Sequence, residues 1–433
     1  MLNRIKNSKF WAFYTRWRLP LNLAVLVLLF FGNCFWGGMV FIVYPVLLAM
    51  VCFDNFANAV SYSVAVLPFF ALNGWVGFLF FLLCLSAFVI KFYATVFFVE
   101  KFRPRWSILI VIGLFIVYCL LPIGPYNQDL WSKTAYLLVI FIMLVVIIGK
   151  PAIVRLRLNI RLLAITLLLS SLMGCLRPFS PYLSSVITPI YSNGWLRFSG
   201  LYVHPNALAM MCMLLVALFV YLIVSRQAKL SDYLLMFALT ALGLATLSKN
   251  CLIVMAVAYL VIFVCLLRRN WAPTVVASLV VLTVVIGFCC THNTLVSDYC
   301  GRFIGGWSAG DGFTSFMNNL TTYRYELWVN YCTYLGQNPL VLFFGAGLGA
   351  GPVLLPRENL YPQSPHNFLL AIVYQLGLVG TVLFVTAVVL LIIDLKRRHP
   401  QLLNRAIWVP LLIYLLPLSV EDFILFIPPV HSL

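Results

Sequence analysis

The sequence predicts an all-α fold: a polytopic membrane helix bundle of about 12 transmembrane helices, with a large, partly helical periplasmic or extracellular loop before the last spans. Three observations carry this. Of 433 residues, 64% are hydrophobic and 9% charged, with mean hydropathy +1.04, whereas a soluble domain is roughly half apolar and a quarter charged. The apolar residues gather into aromatic-rich blocks of spanning length without β alternation. The basic residues concentrate in alternate connections between those blocks. Such a composition excludes an ordinary soluble fold and a disordered chain. The net charge of +17 is spread over many connections instead of one polar domain, which argues against nucleic acid as a partner.

A spanning helix needs ~20 mostly apolar residues to cross ~30 Å of hydrocarbon. Apolar blocks cover residues 19–53, 60–90, 107–123, 135–149, 162–175 and 205–224, then 233–247, 251–267, 273–290, 366–393 and 406–430. Each of the first two is long enough for one tilted span or a tight hairpin. Glu421 and Asp422 interrupt the last, which makes one span or two. The basic start runs into a long apolar block without a small-residue cleavage site and reads as a retained anchor. The chain divides accordingly into N-terminal spans (1–175), central spans with an outer loop at 176–203 (176–290), a large outer loop (291–365) and C-terminal spans (366–433).

Charge sets the expected orientation. Arg4, Lys6, Lys9, Arg16 and Arg18 open the chain; Lys91, Lys101, Arg103 and Arg105 follow the second block. Basic groups recur at Lys150, Arg155, Arg157 and Arg161, at Arg226 and Lys229, at Arg268 and Arg269, and at Lys396, Arg397, Arg398 and Arg405. The alternate connections hold only Lys133, Arg177, Arg197, Lys249, Arg302, Arg324 and Arg357. The positive-inside rule makes the first set, with the N-terminus, cytoplasmic and the second outward. In the large outer loop, residues 321–336 read as a helix lying on the membrane face.

Twelve cysteines occur without a CxxC pair, an HExxH or a Cys/His cluster, so no structural metal is expected. Most sit in spans as small apolar filler. Cys300 and Cys332 share the large outer loop and either bridge in an oxidising compartment or remain two thiols. Asn319-Leu320-Thr321 fits a glycosylation triplet of a kind frequent by chance.

Four junctions on the outward side each present a cation or an imidazole, and ionisable groups at a membrane boundary are functional candidates by default. Arg324, in TTYRYELW, offers a rigid fork of donors suited to a phosphate or diphosphate, against a plain ion pair with Glu326. Lys249, in TLSKNCL, sits in a very short turn where it either snorkels or binds an anionic head group. His366, in SPHNFLL, opens a span and can act as a base near neutral pH, although Pro365 and Asn367 also suit an ordinary helix start. His204 and Asn206, with Arg197 just before, lie where Gly200 and Pro205 shape a loop-to-span turn; this cluster serves either a ligand or the helix end.

The ordered set FSGLYVHPNALAM, TLSKN, YRYELWVNYCTYLGQNPLVLFFGAGLGAG and SPHNFLLAIVYQLGLVGTVLF resembles the bacterial O-antigen ligase/polymerase superfamily over about residues 195–390. The N-terminal half resembles it only in hydropathy. The resemblance implies an integral membrane glycosyltransferase of the GT-C type acting on glycans carried by undecaprenyl diphosphate at the outer face of the bacterial cytoplasmic membrane. It implies no metal and no nucleotide sugar, because the lipid diphosphate is the leaving group. By the same resemblance His366 matches the histidine that activates the acceptor hydroxyl, and Arg324 an arginine that binds the diphosphate. Lys249 stands where many members carry arginine; lysine keeps the charge but loses bidentate geometry. Arg197 joins them as a candidate diphosphate ligand, and His204, Asn206 and Asn367 as further candidates. The implied partners are the lipid-linked glycan, an acceptor glycan or lipid A-core, membrane lipid, and a chain-length regulator and flippase of the same pathway.

The leading expectation is a polymerase of O-antigen, capsule or exopolysaccharide repeat units, with a ligase onto lipid A-core next. A peptidoglycan polymerase of the shape-and-division family is disfavoured because its periplasmic aspartate motif is missing from the sequence. A lipid or solute transporter would need polar residues at mid-membrane depth and paired broken helices; eleven acidic residues leave little for ion coupling. A structural scaffold would need none of the outward histidines and arginines.

Overall fold

The computed structural model describes residues 9–72, 83–84, 86–91, 94, 105–121, 155–187, 189–192, 195–202, 204–272, 275, 283, 291, 312, 317–318, 321, 324–347, 350, 365–398, 400 and 411–413. The block at 135–149 and most of those at 273–290 and 406–430, together with most of the 291–365 loop, Cys300, Asn319, Leu320, Glu421 and Asp422, lie outside them. Among the described residues the chain is predominantly helical, and four helices are long and apolar enough to cross a membrane.

The first apolar block is a hairpin: α1 (Lys9–Asn33) and α2 (Val40–Phe53) flank a turn carrying Gly37 and Gly38. Helix α3 (Phe56–Val66) follows, with Asn55 accepting from the Asn58 amide as its N-cap. Then come α4 (Trp106–Leu120) and α5 (Leu156–Gly174). The second of these starts before the apolar block at 162–175, so Arg157 and Arg161 belong to a helix and not to a connection. One turn apart, they share a face and reach Asp232 together.

The segment at 176–203 departs from an all-helical chain. After the short α6 (Pro181–Val186), strands β1 (Ile190–Ser192) and β2 (Trp195–Arg197) pair antiparallel, with Tyr191 opposite Leu196. Ile190, Tyr191 and Trp195 are strand formers, a signal that hydropathy averaging hides. Helix α7 (Pro205–Val224) is buried along most of its length and packs against α5, α8 (Leu230–Ala245) and α9 (Lys249–Leu267). In lipid, such contacts hold helices together by close packing more than by exclusion of water.

A second packed group joins α4 with α10 (Arg324–Gln337), α11 (Pro339–Phe344) and α12 (Phe368–Arg398). Helix α10 realises the helix expected over 321–336. Helix α12 is broken: Gly377 has φ 63° and ψ −177°. The carbonyls freed by the break are taken up by protein. Tyr374 O accepts from Ala346 N at 2.8 Å and Gln375 O from Gly347 N at 3.1 Å. The Tyr118 hydroxyl of α4 stands 2.8 Å from both Leu376 O and Phe344 O. Irregular backbone at membrane depth survives only with such partners. Gly345 is required opposite the break, because a Cβ there would lie 2.3 Å from Gln375 O; one on Gly377 would lie 2.4 Å from Gly345 N.

Buried aspartates tie down the basic segments. Asp54 receives Arg18 Nε at 3.1 Å and the Tyr62 hydroxyl at 2.5 Å, while Lys91 donates to the last carbonyls of α2 and to Asp54 O. Asp232 takes Arg161 in a bidentate pair and Arg157 at 3.4 Å. Asp394 pairs with Arg105 at 2.9 Å and Arg398 at 2.7 Å. Each pair joins cations that the charge pattern assigns to one side of the membrane.

Candidate active site

The sequence candidates are sorted by their hydrogen bonds into two groups, one on each packed half. The first forms where β2 meets the α8–α9 turn. Phe198 N donates to Ala245 O, and Arg197 Nε donates to Thr246 O at 2.9 Å. Arg197 Nη2 donates to Asn206 Oδ1 at 2.7 Å. His204 is the N-cap of α7: its Nδ1 accepts from Asn206 N at 3.1 Å, which leaves the ring proton on Nε2. The cluster thus starts a helix, and Gly200, at φ 59°, provides the expected turn ahead of it.

Lys249 is the first residue of α9, behind a turn of only Thr246, Leu247 and Ser248. Leu247 is left-handed there, with φ 53°, and the Ser248 hydroxyl faces Cys251 N at 3.5 Å. Arg197 therefore clamps, through Thr246 O, the same turn that presents Lys249. Two of the guanidinium's donor sites go to protein, so its role includes holding this turn.

The second group forms where α10 meets the start of α12. Arg324 opens α10, whose first turn is anchored by preceding side chains: Tyr325 N donates to Thr321 Oγ1 at 3.0 Å and Glu326 N to Asn318 Oδ1 at 3.0 Å. Leu327, Tyr331 and Leu335 form the buried stripe, and Tyr331 meets Tyr374 of α12 edge to face. Trp328 Nε1 donates to Pro365 O at 2.9 Å. His366 follows with φ 45°. Asn367 then caps α12, its Oδ1 accepting from Leu369 N at 3.0 Å and Leu370 N at 3.1 Å.

Sequence reasoning missed Trp328, Tyr118 and the mutual fit of Gly345 and Gly377. The two glycines stand in FGAGLGAG and LGLVG, segments noted for their order but not for contact. Trp328 carried no separate signal within an aromatic-rich stretch. Among the described residues, no group of three or more His, Cys, Asp or Glu side chains is placed to hold a metal ion. Cys332 is a free, exposed thiol.

The fold and these helix-end clusters define a class: an integral membrane protein with polar side chains gathered at helix starts and a broken helix behind one of them. Residues 234–385 match the family model described as O-antigen ligase. Over that segment the match supports the O-antigen ligase/polymerase superfamily, whose members are glycosyltransferase-like enzymes. No curated protein and no solved structure matches the chain.

Proposed function

We propose that this protein transfers glycan chains from undecaprenyl diphosphate to an acceptor hydroxyl at the outer face of the cytoplasmic membrane, joining repeat units into O-antigen, capsule or exopolysaccharide. The observation that carries the reading is the family match over 234–385, because Lys249, Arg324, His366 and Asn367 all fall inside it. The charge pattern supports the orientation, with about 12 spans and the candidate residues outward.

In the proposed reaction the acceptor oxygen attacks the anomeric carbon while its proton passes to the His366 imidazole. The bond from that carbon to the diphosphate oxygen breaks, and its electron pair leaves with undecaprenyl diphosphate. Arg324 and Lys249 meet the growing negative charge, Arg324 as a fork and Lys249 as a point charge. Arg197 adds positive charge and holds the Lys249 turn; His204, Asn206 and Asn367 set the helix starts. In-line displacement inverts the anomeric centre. No metal takes part.

Ligation onto lipid A-core is the second reading, favoured by the family's description as an O-antigen ligase. A purified, full-length protein in nanodiscs, given undecaprenyl-diphosphate-linked glycan extracted from a strain lacking it, tests the site common to both. Release of undecaprenyl diphosphate is expected to fall ~100-fold or more in His366→Ala and in Arg324→Ala. Full rates in both variants overturn the assignment.

A further inference from the structure

The backbone at His366 sits in the left-handed region, with φ 45°, where a non-glycine residue is disfavoured and stays only when its surroundings hold it. Two contacts do so. On one side Asn367 caps α12 through Leu369 N and Leu370 N. On the other, Trp328 Nε1 reaches Pro365 O, the carbonyl of the peptide that leads into His366, at 2.9 Å. Proline has no N–H to offer, so this junction is held from the α10 side through its acceptor.

Trp328 lies four residues after Arg324, so the two side chains leave the same face of α10. That helix is fixed at its first turn by Thr321 and Asn318 and along its buried stripe by Tyr374. The indole bond therefore joins the element that carries Arg324 to the residue whose ring must meet the acceptor.

We propose that Trp328 is a positioning residue for the reaction: its indole N–H holds Pro365 O and so fixes the His366 imidazole relative to the Arg324 helix. The inference rests on the reading of His366 as base and Arg324 as diphosphate ligand. Misplacing a catalytic group by ~1 Å costs on the order of 100-fold in rate.

The test uses the full-length protein in nanodiscs, with undecaprenyl-diphosphate-linked glycan from the deletion strain as substrate and diethyl pyrocarbonate as the probe of His366. Trp328→Phe keeps a ring and removes the donor. Its kcat is expected to fall about 10- to 100-fold with KM held, and His366 to be carbethoxylated at a changed rate. If this variant does not fold, benzothienylalanine at 328 removes only the N–H and is read the same way. Unchanged kcat, or a change in KM alone, overturns the proposal, as does unaltered His366 modification. A full rate in His366→Ala overturns the parent reading and this one with it. A dead His366→Ala beside an unimpaired Trp328→Phe overturns the Trp328 assignment alone.

Discussion

The two packed halves are held by different means. Around α7, cohesion comes from interlocking side chains: Leu208, Leu215, Val216 and Phe219 are fully buried, and Asp232 ties α8 to α5 through two arginines. Around α12, side-chain packing is joined by main-chain contacts, with Ala346 and Gly347 amides on the carbonyls of a broken helix and Gly345 against Gly377. A side-chain core tolerates exchange of similar volumes. A backbone contact at 2.3–2.4 Å to a hypothetical Cβ tolerates none. The half carrying Arg324 and His366 is therefore the less forgiving one, and positions 345 and 377 need glycine for that reason.

Mutations that separate the two modes sharpen this contrast. Gly377→Ala is expected to have the largest effect, about 4 kcal/mol or more, since it combines a left-handed backbone with a collision that no side chain can relieve. It is read as lost yield and a lowered melting temperature of the solubilised protein. Asp232→Ala in the other half is expected to cost about 3 kcal/mol, because two arginines lose their shared carboxylate and Lys229 N its acceptor. The same thermal measurement checks it. Gly336→Ala, on a face of α10 with no atom of the described residues within 4 Å of the added Cβ, is expected to be neutral or to stabilise by up to ~1 kcal/mol. An unaffected Gly377→Ala, or a damaging Gly336→Ala, would break the comparison.

The side-chain half was the more legible in the sequence. Apolar blocks at 205–224 and 251–267 correspond closely to α7 and α9, because hydropathy reports burial in protein or lipid alike. Hydropathy allows the hairpin of the first block as one of two alternatives, and the Gly37-Gly38 turn shows where it bends. It placed Arg157 and Arg161 in a connection, since their pairing with Asp232 depends on a helix seventy residues away. The break at Gly377 escaped it altogether: both sides of the break are apolar, and the partner that makes it tolerable lies at Gly345. Of the candidate residues, each stands at a helix start or strand end where polarity interrupts an apolar run, which is why they were visible. Trp328 was not, because an indole in an aromatic-rich helix looks the same whether or not its N–H has an acceptor.

Under the proposed function this protein moves glycan off a lipid diphosphate through His366 and Arg324. The most direct measurement is the length distribution of lipid-linked and surface glycans in a strain lacking the protein, complemented with the intact chain or with His366→Ala. The account predicts that single repeat units persist without the protein and that only the intact chain restores a ladder. Long chains stranded on the undecaprenyl carrier would shift the reading to ligation at the same site. An unchanged profile in both fractions would contradict the account.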